Sequence, residues 1–156
     1  MLPYRHTQAG TVVRWALLAG LLPLPTLLWL PAPPFPIVVL VAGLPLLSGV
    51  LVLLLWSLTV EVTPAHFKFW FGPGLIGKAV PLALVTACEP VDGIRAWGIH
   101  WAGKRGWLYN VSGWRAVAVT LADGRRFMVG TDEPEQLCQA VAEARAQVAA
   151  VDAGAY

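Results

Sequence analysis

The chain has 156 residues, of which 57% are hydrophobic and 13% charged, whereas soluble domains carry roughly 25% charged residues. This imbalance indicates a membrane protein. The first 60 residues contain Arg5 and Arg14 and no acidic residue, so the net charge of +2 belongs to them and the remaining residues are neutral. A neutral remainder excludes the strongly basic surface that marks nucleic-acid-binding proteins.

Two apolar runs within residues 1–58 predict a membrane α-helical hairpin with two transmembrane helices. The first run, residues 15–30, reaches about 24 Å as a helix, and it is long enough to cross the membrane core once it is extended back to Val12 with Arg14 snorkelling. Pro23 and Pro25 should kink or break this helix, so a re-entrant segment remains the alternative. The second run, residues 37–58, has no charged residue and reaches about 33 Å.

Small residues around a proline in the second run predict a kink or a close-packing surface inside the membrane. They are Gly43, Pro45, Ser48 and Gly49. The equally open alternative is lipid-facing filler with a tolerated proline. A cleaved signal peptide is not favoured, because no A-x-A-like site follows the first run and a second apolar run does.

The basic residues of the N-terminal part predict its orientation. Arg5 and Arg14 precede the first run, and the proline-rich loop 31–36, expected to be non-helical, has no Lys or Arg. The positive-inside rule therefore predicts a cytoplasmic N-terminus, and two spans return the C-terminal domain to the same side.

After residue 58 apolar residues alternate with polar ones, as in half-buried strands. The clearest hairpin joins residues 115–121 to residues 125–129. A three-residue loop at 122–124 pairs Val119 with Phe127 and keeps the apolar side chains on one face, whereas a two-residue loop mixes the faces. The sequence therefore predicts the three-residue loop, with Gly124 in the left-handed conformation.

A C-terminal amphipathic helix is predicted to start at Asp132 as N-cap, with Glu135 as its capping-box partner and Pro134 in the first turn. Its apolar stripe consists of Leu137, Val141, Ala144, Val148 and Val151. Such a stripe requires a sheet to cover.

A set of short motifs lies along residues 58–142: VEV at 60–62, FGPGLI at 71–76, PL at 81–82 with Val85, EPV at 89–91, GWLYNVSG at 106–113, VAV at 117–119, DGRRF at 123–127 and GTDEP at 130–134. With these motifs, the layout of short strands closed by one helix after a membrane hairpin resembles the bacterial pleckstrin-homology-like membrane proteins. The resemblance implies an α+β half-open β-barrel with a C-terminal capping helix, in the bacterial inner membrane. The predicted domains are the transmembrane hairpin 1–58, the pleckstrin-homology-like domain 59–151 and a tail 152–156.

Pleckstrin-homology-like domains mostly bind proteins or lipid headgroups, so the resemblance implies binding and not catalysis. Relatives that bind phosphoinositides have a densely basic first hairpin. This chain has only Lys68 and Lys78 there, which argues against specific phosphoinositide recognition.

A glycine-rich segment at residues 72–78 satisfies the spacing of two nucleotide-binding motifs, GxGxxG and GxxxxGK. Ala79 lacks the hydroxyl that would hold Mg²⁺, and Pro81 prevents the helix whose N-terminus would receive phosphate. The segment is therefore interpreted as a strand connection, and no nucleotide is expected.

Basic residues near Trp107 form the candidate contact with lipid or a partner: Lys104, Arg105, Arg125 and Arg126. Each cation near an anionic membrane contributes about 1 kcal/mol. The alternative, loop cations that only keep the domain soluble, is equally open. Two roles are also equally open for four tryptophans: they either lie at an interface or fill the barrel. These are Trp97, Trp101, Trp107 and Trp114.

No catalytic, cofactor or metal site is predicted. His6, His66 and His100 lack metal-ligand spacing, and no nucleophile stands beside a base. Cys88 and Cys138 are fifty positions apart, without the closely spaced pairs of a zinc motif or disulfide framework, and are interpreted as small buried hydrophobic residues.

The sequence thus predicts a non-catalytic, membrane-anchored interaction module, an accessory subunit or assembly factor bound to a membrane-protein partner. This hypothesis is based on the first apolar run, which is short and broken by prolines and is therefore poorly suited to cross the lipid without a partner. The alternative is a sensor domain that binds anionic membrane lipid. An enzyme is the third and weakest hypothesis.

Overall fold

The computed structural model of the chain describes residues 3–20, 22, 25, 29 and 34–153. Its strands and helices are β1 (Tyr4–Ala9), α1 (Thr11–Ala19), α2 (Phe35–Leu55), β2 (Ser57–Val62), β3 (His66–Phe71), β4 (Ile76–Pro81), β5 (Val85–Asp92), β6 (Gly98–Trp101), β7 (Trp107–Asn110), β8 (Arg115–Leu121), β9 (Arg126–Gly130) and α3 (Pro134–Ala153). The strands form two sheets, and α3 packs against them.

The first sheet is an antiparallel meander in the order β1-β2-β3-β4. The predicted alternation in β3 is confirmed, since Phe67, Phe69 and Phe71 are each at most 1% exposed. Burying three aromatic side chains on one face contributes about 1.5–3 kcal/mol for each of them. This face is one wall of the core.

Strand β1 was not among the predicted elements. It pairs with β2, with Tyr4 opposite Val62 and Ala9 opposite Ser57. Because these neighbouring strands flank the helical segment, that segment leaves and re-enters the sheet at one place. The Gly10 N–H donates to the Trp56 carbonyl over 2.9 Å and holds the two ends together.

The predicted fold class, with two transmembrane helices, is wrong. In the part of the chain that the structure describes, one helix, α2, is long and apolar enough to cross a membrane. Helix α1 has nine residues and ends at Ala19, ahead of Pro23 and Pro25, which lack the backbone donors that a helix needs. Most of residues 21–33, which carry the rest of the first apolar run, lie outside the described residues.

Helix α2 begins inside the segment that was predicted to be a non-helical loop, 31–36. It starts at Phe35 and has Pro36 in its first turn, where a proline is tolerated because the N–H it lacks would have no helical partner. The helix ends at Leu55. Leu58, which the sequence assigned to the apolar run, is fully buried in β2.

The second sheet has the order β5-β8-β9-β7-β6. Strands β7 and β9 are parallel, and the other neighbours are antiparallel. The hairpin prediction is confirmed: Val119 lies opposite Phe127, and the Leu121 N–H donates to the Arg125 carbonyl over 2.9 Å. Gly124 closes the loop with φ +81°.

Helix α3 covers the core between the sheets. Leu137, Val141 and Ala144 of its predicted stripe are at most 6% exposed, which confirms the stripe for these positions, and Val148 is half-buried. The side chain of Val151 and residues 154–156 of the predicted tail lie outside the description. Two sheets and a C-terminal helix are compatible with a pleckstrin-homology-like domain.

The predicted capping box is wrong. Helix α3 starts at Pro134, and the Glu133 N–H donates to Oγ1 of Thr131 over 3.2 Å. The Asp132 carboxylate instead lies 2.6 Å from Nε2 of His6, and Glu135 pairs with Arg115. Both partners come from strands distant in sequence, so the local pattern could not show them.

Candidate functional site

A cleft of about 600 Å³ opens where the edge of the first sheet meets the second sheet. Its walls come from β4, β6, β7, β9 and the two turns that precede β7 and β9. The lining residues are Gly77, Lys78, Trp101, Gly103, Lys104, Gly106, Trp107, Tyr109, Gly124, Arg125, Arg126 and Phe127. The cleft is thus both basic and aromatic.

Lys78 is the most enclosed cation of the cleft. It is half-buried on β4, and its Nζ lies 4.7 Å from the centroid of the Phe127 ring. Loss of hydration, followed by the neighbouring Arg125, lowers the pKa of Lys78 below its usual 10.5, while Asp123 opposes the shift. A bound anion would relieve both the lost hydration and the repulsion.

The other cations lie at the rim. Lys104, Arg125 and Arg126 are exposed. Arg125 donates from Nε to Asp123 over 2.6 Å, and hydrogen bonds from the backbone and side chain of Arg125 lower the pKa of the Asp123 carboxyl. Together with Lys78, these residues give the cleft four cations, and Asp123 is the one carboxylate paired with them. The cleft therefore keeps an excess of three positive charges.

Gly106 shapes the floor of the cleft. Its φ of +79° and ψ of −156° lie in a region that only glycine adopts readily. A Cβ at this position would collide with the carbonyl oxygen of Arg126. The glycine therefore lets β7 begin directly beside β9, which brings Trp107 and Phe127 into register.

Two exposed edge-to-face pairs are formed by Trp97, Trp101, Trp107 and Trp114. Trp101 and Trp107 have ring centroids 5.8 Å apart and are 61% and 45% exposed. Trp97 and Trp114 are 5.5 Å apart. The interpretation that these rings fill the barrel is wrong, because the core is filled by Phe, Leu and Val side chains.

Four of the five residues predicted as the contact site come together in the cleft: Lys104, Trp107, Arg125 and Arg126. Arg105 does not line it. The sequence missed Lys78, Tyr109, Trp101 and Phe127 as cleft residues. Lys78 could have been noticed as the lysine of the glycine-rich segment, residues 72–78. Its position beside Phe127, however, depends on how the two sheets cross.

The β3–β4 turn lies against the end of α2. The Gly72 N–H donates to the Ser57 carbonyl over 2.8 Å, and a Cβ on Gly72 would lie 2.6 Å from the carbonyl oxygen of Leu53. Lys78 is two residues beyond Ile76, the first residue of β4, which corresponds to about 7 Å along a strand. The cleft therefore lies close to the end of α2.

Ring contacts show the direction in which the second sheet crosses the first. Phe127 of β9 lies 6.1 Å from Phe67, whereas Tyr109 of the next strand, β7, lies 6.4 Å from Phe71. The step from β9 to β7 thus moves along β3 toward α2. Strand β6 is the next strand in that direction.

The helical segment carries residues typical of a membrane–water boundary at its junction with the sheet. Cζ of Arg14 lies 3.6 Å from the Trp56 ring centroid, and Trp15 is 72% exposed. Tryptophan and arginine at the end of an apolar helix are typical of the headgroup region. Of the most apolar window of α2, 6% is buried, so nearly all of this surface is exposed.

Among the described residues, the predicted packing surface on α2 is covered only in part. Pro45 is buried and Ser48 half-buried, and both line an apolar groove of about 460 Å³ with Leu18. Gly43 and Gly49 have no atom within 4 Å of where a Cβ would lie. The described residues therefore make no close contact at these two glycines.

Within residues 3–20 and 34–153, no group of three or more His, Cys, Asp or Glu side chains could hold a metal ion. Comparisons with protein-family models, curated proteins and solved structures found no match to this chain. The function is therefore argued from the geometry of the cleft.

Proposed function

We propose that the protein is a non-catalytic, membrane-anchored domain that binds the anionic headgroup of a membrane lipid in the basic aromatic cleft. The observation that carries the proposal is the convergence of Lys78, Lys104 and Arg126 on one cleft close to the end of α2. This is the alternative function that the sequence left open, and the cleft now favours it.

The chemistry of the cleft suits a phosphodiester attached to an apolar chain. Lysine and arginine bind phosphate oxygens through charge-assisted hydrogen bonds. Trp101 and Trp107 at the opening are exposed amphipathic rings, which prefer the headgroup level of a bilayer. The charged group would enter the cleft while its acyl chains stay in the adjacent membrane.

The proposed orientation rests on the pairing of β1 with β2, which places residues 4–9 and the sheets on one side of the membrane, and on Arg5 and Arg14, which favour the cytoplasmic side. Arg14 beside Trp56 lies at the headgroup level, and the sheets lie on the cytoplasmic side of a bacterial inner membrane. Anionic lipids give that surface a negative potential, which attracts cations within about a Debye length.

Titration of the full chain in maltoside micelles with dihexanoyl phosphatidylglycerol, followed by calorimetry, tests the proposal. We expect saturable binding, no comparable binding of dihexanoyl phosphatidylcholine, and an affinity at least tenfold lower in Lys104→Glu/Arg126→Glu, since each cation contributes about 1 kcal/mol. Lys68→Glu is the matched control, because Lys68 does not line the cleft. Equal binding of the two lipids would refute the proposal.

The affinity should also depend on pH through Lys78. Its pKa is lowered by lost hydration and Arg125, so the ammonium loses its proton below the usual range and attracts the phosphate less. Burial raises the pKa of Tyr109, so its phenol stays neutral over the same range. We expect the affinity to fall with rising pH already below the usual range of lysine, and the fall to be smaller in Lys78→Arg, which stays charged. Identical pH profiles would contradict this role for Lys78.

The exposed Trp97–Trp114 pair favours a second candidate function, that of an accessory subunit or assembly factor of a membrane complex. Trp97 donates from Nε1 to the Gly113 carbonyl over 3.2 Å, which fixes one ring of a pair that lies outside the cleft lining. Exposed tryptophans often anchor protein interfaces. Mild-detergent purification followed by mass spectrometry should then recover one protein in constant ratio, and its loss in Trp114→Ser would assign the surface.

A further inference from the structure

Two cysteines, the only two of the chain, meet between β5 and α3. The Sγ atoms of Cys88 and Cys138 lie 2.7 Å apart. Both residues are half-buried and have free thiols. From the sequence alone they were interpreted as small buried hydrophobic residues, because fifty positions separate them and no local pattern pairs them.

The packing of two elements, and not a flexible loop, holds these sulfurs together. Leu137, next to Cys138, is fully buried, as is Val119, which lies opposite Cys88 in the β5–β8 ladder. A disulfide bond is about 2.05 Å long, so the sulfurs need to approach by less than about 1 Å. No third ligand joins them within the described residues, which leaves no metal site as an explanation for their contact.

The two thiols have different acidities. The hydrogen bond between the two thiols lowers the pKa of Cys138, whereas that bond and burial raise the pKa of Cys88. Glu89 and Glu135 oppose the formation of a thiolate at Cys138, so they moderate its acidity. The thiolate is the nucleophile in disulfide exchange, and Cys138 is therefore the residue that reacts first.

We infer that Cys88 and Cys138 form an intramolecular disulfide bond that fastens α3 to β5 when a small-molecule disulfide such as oxidised glutathione is present. The Cys138 thiolate attacks one sulfur of the oxidant and releases one thiolate. Cys88 then loses its proton, attacks the Cys138 sulfur of the mixed disulfide and expels the second thiolate. Two protein thiols lose two electrons and two protons, and the oxidant becomes two thiols.

The cross-link would stabilise the fold around the core without touching the cleft. Neither cysteine lines it, so this inference is independent of the proposed function. A disulfide stabilises mainly by restricting the unfolded chain, and this one closes the long segment that contains β6, β7, β8 and β9. On the predicted cytoplasmic side the pair would be reduced under ordinary conditions and would close on exposure to the oxidant.

The test uses the full chain in maltoside micelles, treated with oxidised glutathione, denatured, and then labelled with a maleimide polymer that counts free thiols on a gel. We expect no free thiol in a monomeric species, and two after reduction. Peptide mass spectrometry should find residues 88 and 138 in one cross-linked pair. The oxidised protein should unfold at a temperature higher by about 10 °C.

The variants Cys88→Ser and Cys138→Ser separate intramolecular pairing from other oxidation. Cys138 in Cys88→Ser should form a stable mixed disulfide with glutathione, Cys88 in Cys138→Ser should react more slowly, and neither variant should show the rise in unfolding temperature. Two free thiols after oxidation, a glutathione adduct that persists on the wild-type chain, or a disulfide-linked dimer as the main product would overturn the inference.

Discussion

Replacing Phe69 with alanine should cost about 3–5 kcal/mol of folding free energy, in the range of large-to-small core substitutions. The Phe69 ring is 1% exposed and lies 4.7 Å from Tyr109 and 5.8 Å from Phe127, measured between ring centroids. It therefore joins the first sheet to two strands of the second. Its loss opens a cavity directly behind the cleft.

The measurement is thermal unfolding of the full chain in micelles, followed by near-ultraviolet circular dichroism. Phe69→Leu is the matched control, because it keeps most of the apolar volume and should cost less than about 1.5 kcal/mol. If the alanine variant unfolded at the same temperature as the leucine variant, the ring would not hold the two sheets together.

Gly106→Ala should be the most damaging single substitution among the glycines that line the cleft. It combines a backbone conformation that costs an alanine about 1–3 kcal/mol with a collision between the new Cβ and the Arg126 carbonyl. Relief of that collision requires β7 to move away from β9. We expect a loss of about 3 kcal/mol or more and weaker binding of phosphatidylglycerol.

Gly124→Ala separates the two contributions. Gly124 also has a positive φ, of +81°, but a Cβ there would have no atom within 4 Å, so only the conformational cost of about 1–2 kcal/mol applies. The same unfolding measurement compares the two variants. Equal losses would show that the Arg126 carbonyl yields without cost, and the floor of the cleft would then be deformable.

The local parts of the fold could be predicted from the sequence. The loop after β8 follows from three neighbouring residues and the alternation on either side, and its register is observed. The helix stripe at Leu137 and Val141 follows from its 3.6-residue period. Both predictions depend on residues close together in the chain.

The parts that failed depend on distant partners. Strand β1 is a short edge strand with polar residues such as Arg5 and Gln8, and its only sign is its pairing with β2. Asp132 pairs with His6 instead of capping α3. No local pattern places His6 beside Asp132. A transmembrane helix over the first run, residues 15–30, was expected from its apolar composition, although Pro23 and Pro25 already opposed a continuous helix.

The candidate site was predictable only in part for the same reason. Trp107, Lys104 and Arg126 stood out because cations and aromatic residues occur close together in the sequence. Lys78 joins them only because the edge of one sheet meets the other sheet. The packing of α3 against β5 brings Cys88 to Cys138, and a disulfide partner cannot be deduced from spacing alone.

The central claim, that the cleft binds an anionic headgroup at the membrane to which the domain is anchored, is tested most directly in lipid discs. The protein is reconstituted in phosphatidylcholine discs that contain 30% phosphatidylglycerol, with bromine on the acyl chains of one lipid at a time, and tryptophan fluorescence is recorded. We expect stronger quenching by brominated phosphatidylglycerol per molecule than by brominated phosphatidylcholine. This preference should be lost in Lys78→Glu/Lys104→Glu/Arg126→Glu and kept in Lys68→Glu. Equal quenching by both lipids in the wild-type protein would contradict the account.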